Sequence, residues 1–190
     1  STIYLCNIEL SGFSEAIEAG NNSQVILEQV TLTQNTEEAV ELSNNSSLRL
    51  KDSTVTYNGT EGDWDPALEA SRSSSMQIEN TTISNNASLA ISAGTNSSIS
   101  LRNSTLENNN GDHAIEVKRG SVADIEENSK ISGNSNASSG GSLIKVAHGS
   151  SLNMRDSIVE NGPSSGISVS WNSRLWGRNV TVQNNGGNGI

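Results

Sequence analysis

The 190-residue sequence is short of cysteine, histidine and aromatic residues, and each shortage excludes a class of structure. The single cysteine, Cys6, cannot form an internal disulfide, and two histidines provide no Cys/His cluster for zinc. Aromatic residues make up only 3% of the chain, which excludes a thick aromatic core. No apolar run approaches the length of a membrane-spanning helix, so we expect no membrane insertion.

Positive charge is also scarce. Lysine and arginine together number 11 against 21 aspartates and glutamates, which gives a net charge of -10 and an isoelectric point near 4.6. Nucleic acids and anionic membranes would repel such a surface, and we therefore expect neither as a partner. Cations and basic surfaces remain compatible with this charge.

The residues that are present follow a repeat. A hydrophobic fraction of 32% would suit a disordered chain, but the aliphatic residues recur at fixed offsets, which disorder does not explain. In residues 47–58, apolar and polar residues alternate and are followed by an amide or acid, a hydroxyl, an aliphatic residue and asparagine. Aligned on that aliphatic residue, the phrase returns about every 23 residues, at Leu10, Leu32, Val55, Ile83, Leu106, Ile131, Val159 and Val182.

Three strands per coil follow from this repeat. We name the strand of alternating residues the second sheet, the strand around the aligned aliphatic residue the third sheet, and a short strand that precedes both the first sheet. The first-sheet strand is anchored at Ile17, Val40, Leu68, Leu89, Ile115, Ile144, Ile167 and Ile190. Residues 1–190 therefore form one all-β solenoid of about eight coils. Because Ser1 opens inside a strand pattern and Ile190 opens a further coil, we expect both natural ends of a longer protein to be missing.

A column of amide and acid residues is the strongest signal in the repeat. One such residue stands three positions before each aligned aliphatic residue, where a tight bend between strands needs a residue that tolerates the left-handed conformation. We expect these side chains to be buried in the turns and to bond from coil to coil as a ladder, with each acid beside amide donors. The column comprises Asn7, Gln29, Asp52, Asn80, Asn103, Asn128, Asp156 and Asn179.

With its three sheets and its asparagine-marked short turn, the chain resembles the pectin lyase-like superfamily of right-handed parallel β-helices. The resemblance covers essentially all 190 residues. It implies a right-handed parallel β-helix and a secreted or cell-surface location. It leaves the activity open, since that superfamily includes lyases, hydrolases, epimerases, phage tailspikes and adhesins.

Two departures from the regular coil stand out. The alternation between Ser121 and Asn128 works only with one extra residue near Glu126 and Glu127, which predicts a β-bulge with Ala123 and Ile125 inward. The connection after the third sheet is long at residues 58–68 and again at 134–144, and added function is expected on such loops.

The outer faces of the sheets differ in charge. On the second sheet the signs alternate, which predicts cross-strand ion pairs. On the first sheet the outward column is mostly acidic, and an acidic stripe without alternation indicates a cation or a basic partner, with solvated, aggregation-resisting glutamates as the alternative. The second-sheet column is Cys6, Glu28, Lys51, Glu79, Arg102, Glu126 or Glu127, Arg155 and Arg178, and the first-sheet column is Glu18, Glu41, Glu69, Ala90, Glu116, Lys145 and Ser168.

The loop beside that stripe suggests a metal site. Glu61, Asp63 and Asp65 lie with glycines in one oxygen-rich stretch, which is compatible with Ca²⁺. We also expect Trp64 to be exposed there. Asp112 and His113 precede Glu116 by only a few residues, so these three can join Asp63, Asp65 and Glu69 in one cluster.

The catalytic candidates are Glu69, Glu116, Asp112 and His113. Stacking places Glu41 and Glu69 about one strand spacing apart and Glu69 and Glu116 about two, within the range of glycosidase carboxylate pairs. Any glutamate column gives these distances. A lyase also needs a base to take a proton from its substrate. The first-sheet stripe provides only Lys145 for this role, with Lys118 and Arg119 nearby. The alternative is that His113 is an ordinary turn residue.

The remaining candidate sites are surface features. Trp171 predicts a sugar-stacking position, and rows of threonine on the third sheet, at Thr31, Thr54 and Thr82 among others, are similar to ice-binding β-helices but also typical of strands. Candidate binding residues are Glu18, Glu41, Trp64, Glu69 and Trp171. In a glycosylating source, the candidate acceptors are Asn21, Asn58, Asn86, Asn96 and Asn136.

Taken together, these patterns favour a non-catalytic extracellular scaffold, such as a segment of an adhesin, surface fibre or appendage. Its expected partners are a polysaccharide, a cell-surface protein or further copies of the chain in an oligomer or fibre. The alternative is a polysaccharide lyase, glycoside hydrolase or epimerase, or its binding portion, since acids are present without a convergent base. An ice-binding face is the minor alternative.

Overall fold

The computed structural model describes residues 1–60, 64–134 and 141–190, and the elements in these ranges are β-strands joined by turns. Successive strands wind into about eight coils, and each strand pairs in parallel with its equivalent one coil away. The aligned aliphatic residues pair with one another from Leu10 to Val182, as the repeat predicts. The predicted parallel solenoid is therefore confirmed.

The strands fall on three faces, which correspond to the three expected sheets. The first sheet has seven strands: Ile17–Ala19, Val40–Leu42, Leu68–Ala70, Ile91–Ala93, Ile115–Val117, Ile144–Val146 and Ile167–Val169. The second sheet has Thr2–Cys6, Gln24–Glu28, Ser47–Lys51, Ser75–Glu79, Ser98–Arg102 and Val122–Glu126. The third sheet has Glu9–Ser11, Thr31–Thr33, Thr54–Thr56, Thr82–Ser84, Thr105–Glu107 and Lys130–Ser132.

Two long strands join the second and third sheets. Ser151–Glu160 and Arg174–Gln183 each run through the bend without a break, so hydrogen bonding joins the strands of both faces into one 14-stranded sheet. Within the first of these strands, Asp156 has a φ of 49° and turns the chain while the strand continues. No described residue belongs to a helix that could cross a bilayer.

The core is a thin column of aliphatic side chains. Alternation along each second-sheet strand turns every other residue inward, and Leu27, Leu50 and Leu101 are fully buried there. The predicted inward positions are confirmed, because Ala123 and Ile125 are fully buried. The predicted bulge within the strand is wrong: Val122–Glu126 pairs in unbroken register with Ser98–Arg102, and the extra residue lies in the following turn, where Glu127 and Asn128 both adopt left-handed φ angles.

The predicted amide column occupies the bend between the second and third sheets. All eight residues have φ between 43° and 62°, as the left-handed prediction requires. Asn80 Nδ2 donates to Asp52 Oδ1 at 2.8 Å, and Asn103 Nδ2 donates to Asn80 Oδ1 at 2.8 Å. Asn179 Nδ2 donates to Asp156 Oδ1 at 2.9 Å. The expected burial is wrong: the column is exposed, because a left-handed residue at an outer bend projects its side chain away from the core.

A different asparagine column is buried. Asn58 Oδ1 accepts from both the amide nitrogen and Nδ2 of Asn35, at 3.2 and 2.8 Å, and Asn86 Oδ1 accepts from the same two atoms of Asn58. The sequence did carry this signal, because these asparagines stand three positions after the aligned aliphatic residue. The column comprises Asn35, Asn58, Asn86, Asn109 and Asn134, none more than 3% exposed.

Hydroxyl groups fill the other two corners in the same way. Between the first and second sheets, backbone amides donate to the serine of the next coil, as from Ser74 N to Ser97 Oγ at 3.2 Å. Between the second and third sheets, Thr81 N donates to Ser104 Oγ at 3.0 Å. Each bend therefore satisfies its buried backbone groups through a column of short polar side chains.

Candidate functional site

The outward side of the first sheet carries the predicted acidic row. Glu18 pairs in register with Glu41, and Glu41 with Glu69. These three glutamates therefore stand on consecutive coils, about 4.8 Å apart along the stack. Such a row concentrates negative charge on this face of the sheet. Like charges directly opposite each other repel, so the row is destabilising unless something neutralises it.

The next position of the row corrects the sequence prediction. Ile91, not Leu89, pairs with Leu68 and Ile115, so Ser92 takes the outward position assigned to Ala90. Leu89 and Ile91 are two residues apart and share a face, so the period-two pattern fits both and only the hydrogen bonding to neighbouring coils decides. Ser92 separates Glu69 from Glu116, as the expected two-strand spacing requires.

Glu116 is held as a carboxylate between two lysines. Lys145 Nζ lies 3.0 Å from Glu116 Oε1, and Lys118 Nζ donates to Oε2. Burial alone would raise the pKa of Glu116, but the hydrogen bonds from Lys118 and Lys145 outweigh it and keep the pKa below its ordinary value. Glu116 is thus suited to an ion pair and unsuited to the role of a general acid.

Asp112 and His113 lie at the corner that leads into the Glu116 strand. His113 Nδ1 donates to the carbonyl oxygen of Ser142 at 2.8 Å, which ties this corner to the next coil. Burial lowers the pKa of His113, so the imidazole is neutral at neutral pH. The charges of Asp112, Glu116 and Lys145 all act on this ring.

Glu69 belongs to a different environment from Glu116. The side chain is partly buried, and burial together with the charge of Glu41 raises the pKa of Glu69 above its ordinary value. Lys118 and Arg72 oppose this shift without reversing it. The catalytic candidates therefore divide into an acidic group around Glu69 and a charge-paired group around Glu116.

A cluster of three glutamates was missed by the sequence reasoning. Oxygen atoms of Glu15, Glu37 and Glu38 all lie within 4.8 Å of one another at the corner before the first sheet. Glu15 precedes Ile17 by two residues, and Glu38 precedes Val40 by the same two. Aligning the acids on the first-sheet strand would have found this cluster.

The predicted metal loop overlaps this corner only in part. Glu61 and Asp63 lie outside the described residues. Asp65 is partly buried, and its negative charge acts on Glu15, Glu38 and Glu69. Trp64, which precedes it, is 72% exposed, as expected.

A family model described as "Right handed beta helix region" matches residues 63–190. The chain belongs to the right-handed β-helix family. This match agrees with the parallel coils and confirms the predicted superfamily resemblance. Searches of curated proteins and of solved structures find no significant match.

The second aromatic candidate of this β-helix lies elsewhere on the surface. Trp171 is 72% exposed at the corner that leads into the second sheet, and its ring stacks on His148 with the centroids 5.4 Å apart. Trp64 directly precedes Asp65, whose charge acts on the acidic corner, whereas Trp171 lies at a separate corner.

Threonines of the third sheet lie in register, as predicted. Thr31, Thr54, Thr82 and Thr105 pair from coil to coil, followed by Lys130. On the second sheet of the β-helix, Glu126 pairs with Arg102 at 3.3 Å and also with Arg155. Part of the predicted ion-pair column is thus formed.

Burial separates the candidate glycosylation sites. Asn58 and Asn86 are each 1% exposed, and their amides are bonded within the buried column, so neither can accept a glycan in the folded β-helix. Those two predictions are wrong, because a sequon does not reveal burial. Asn21 and Asn96 are exposed in turns, and Asn136 lies outside the described residues.

Proposed function

We propose that this β-helix is a non-catalytic extracellular scaffold, a rigid segment of a surface fibre, adhesin or appendage. The observation that carries the proposal is the bonding between successive coils in the described residues. A fully buried aliphatic column and three buried polar columns connect successive coils. A body with this bonding holds its outer faces in fixed positions, which suits the presentation of a binding surface.

The charges on the first sheet support a non-catalytic role. Two lysines pair with Glu116, and His113 is anchored to the backbone of the next coil. A lyase base has to be free to take a proton from its substrate, whereas these groups are engaged with one another. We propose instead that Glu18, Glu41 and Glu69 present a flat acidic face to a basic region of a cell-surface protein or a cationic polysaccharide.

Binding and turnover can be measured on the same samples. We expect wild-type protein to bind a cationic polysaccharide, to lose that binding in Glu18→Lys/Glu41→Lys, and to retain it in the control Thr31→Lys/Thr54→Lys on the third sheet. The control adds the same number of lysines to a different face. Equal loss in both variants would contradict a specific first-sheet surface.

A second candidate, glycoside hydrolysis, is favoured by one observation. Burial and the neighbouring Glu41 raise the pKa of Glu69, and retaining glycosidases use two neighbouring carboxyl groups, one of which has a raised pKa. The test is turnover of neutral and uronate polymers by wild type, Glu69→Gln and the control Glu116→Gln. Turnover that disappears only in Glu69→Gln would establish this second candidate and overturn the scaffold proposal.

A further inference from the structure

The corner before the first sheet brings three carboxylates of neighbouring coils together. Glu37 N donates to Ser14 O at 2.9 Å, and Ala16 N donates to Glu38 O at 3.3 Å, so the backbone fixes Glu15 against Glu37 and Glu38. Oxygen atoms of the three side chains lie within 4.8 Å of one another. The β-ladder that follows immediately, with Ile17 against Val40, leaves this corner little freedom to spread.

Glu38 and one carboxylate oxygen of the partly exposed Glu15 are buried without a cationic partner. Glu38 is only 8% exposed, and Glu15 Oε2 is buried and has no hydrogen-bond partner. Apart from Glu38's own amide, the described residues provide neither a hydrogen-bond donor nor an ion pair for the carboxylates of Glu15 and Glu38. A buried carboxylate in this state is costly, and a proton or a cation held between the neighbouring carboxylates offsets that cost.

The surroundings add further negative charge. Glu18, Glu41 and Glu69 of the first sheet and Asp65 of the next loop all act on this cluster and raise the pKa of Glu15, Glu38 or both. Lys118 and Arg72 are close enough to act on Glu69. The field at the corner therefore attracts a cation.

We propose that Glu15, Glu37 and Glu38 form a site for a hard divalent cation, with Ca²⁺ as the ion that fits best. Ca²⁺ takes carboxylate oxygens in flexible geometry and completes its shell with water, which suits three carboxylates at a partly open corner. The ion bridges two coils and neutralises their repulsion. This site is independent of whether the β-helix is a scaffold or an enzyme.

The test is calorimetric titration of chelator-treated protein with Ca²⁺ at pH 8, supported by Tb³⁺ luminescence sensitised by the exposed Trp64. The variants are Glu38→Gln and Glu15→Gln, and the matched control is Glu9→Gln, which removes the same charge from an exposed third-sheet position of the first coil. We expect one saturable site in wild type and control, and an affinity at least about tenfold lower in each cluster variant.

Thermal melts of each variant without the ion show whether the variant is correctly folded. Removal of a repelling carboxylate should leave the ion-free melting temperature of Glu38→Gln equal to or above that of wild type, whereas only wild type and control gain stability from Ca²⁺. No saturable binding in wild type, or equal loss of affinity in Glu9→Gln, would overturn the site.

Discussion

A single asparagine in the buried column of this β-helix serves the backbones of two coils. Asn86 Oδ1 accepts from the amide nitrogen and from Nδ2 of Asn58, while Asn86 Nδ2 donates to Asn109 Oδ1 at 2.8 Å. Asparagine is suited to this position because its side chain holds an acceptor and a donor side by side. The role of Asn86 is therefore to form hydrogen bonds between coils, and not to accept a glycan.

Asn86→Ala should lower the free energy of unfolding by about 3 kcal/mol, because the buried amide nitrogen of Asn58 loses its acceptor and Asn58 Nδ2 loses one of its acceptors. Chemical denaturation of both proteins measures this difference. The control is Asn110→Ala, an exposed asparagine of the neighbouring coil, which should change stability by less than about 0.5 kcal/mol. Similar losses in the two variants would contradict the bonding that we describe.

The protonation of Glu38 predicts a pH dependence. Its pKa in the folded protein is about 7, against an ordinary value of 4.5, so the folded state holds a proton that the unfolded state has released. In ion-free buffer this stabilising contribution is present below pH 4.5 and is lost as the pH rises through 7. Between pH 5 and 8, wild type should lose about 2 kcal/mol more of its unfolding free energy than Glu38→Gln. Parallel pH profiles for the two proteins would show that burial does not shift this carboxyl.

At the scale of the strand and turn, close packing between coils restricts which residues a corner accepts. A Cβ added to Gly111 would lie 2.5 Å from Leu89 N and 2.7 Å from Ser88 C, both backbone atoms of the coil beneath. The same addition at Gly94 would meet only the flexible side chain of Lys118, at 3.7 Å. The contacts of the corner, and not its general flexibility, therefore demand glycine at Gly111.

Gly111→Ala is expected to lower the melting temperature, with a cost of about 1–3 kcal/mol, since the backbone of the coil beneath has to move. Gly94→Ala is the control and should be neutral within about 0.5 kcal/mol. Calorimetric melting of the three proteins distinguishes the two positions. A neutral Gly111→Ala would mean that the two coils lie farther apart at this corner.

At the scale of the whole molecule, stability depends on contacts between neighbouring coils. Most contacts join residues that are far apart in the sequence, because each strand packs against its equivalent one coil away, as Asn35 bonds to Asn58 23 residues later. A repeat protein of this kind gains its cooperativity from interfaces between adjacent repeats. A single defect in the middle of the stack therefore weakens the interfaces with the coils on both sides.

Leu101→Asp should abolish cooperative unfolding, because Leu101 is fully buried in the central coils and an unpaired carboxylate there costs several kcal/mol. Ser100→Asp, which adds the same charge on the outward face of the same strand, should retain a cooperative transition. Thermal melts followed by circular dichroism provide the comparison. A normal melt for Leu101→Asp would contradict the continuity of the core.

The repeat, the three strands per coil, the inward aliphatic residues and the left-handed bends were all predictable from the sequence, since alternation and turn preference are local properties of the chain. The extra residue before Asn128 was predictable for the same reason, although it lies in the turn and not in a bulge of the strand. Tertiary structure decided what depends on neighbouring coils: the register that selects Ile91 over Leu89, and the burial that withdraws Asn58 and Asn86 from the surface. It also paired Glu116 with two lysines and placed Glu15 against Glu38. Apart from the contact between Glu116 and Lys118, those contacts join residues about one coil apart, and loops of unequal length set which residues meet.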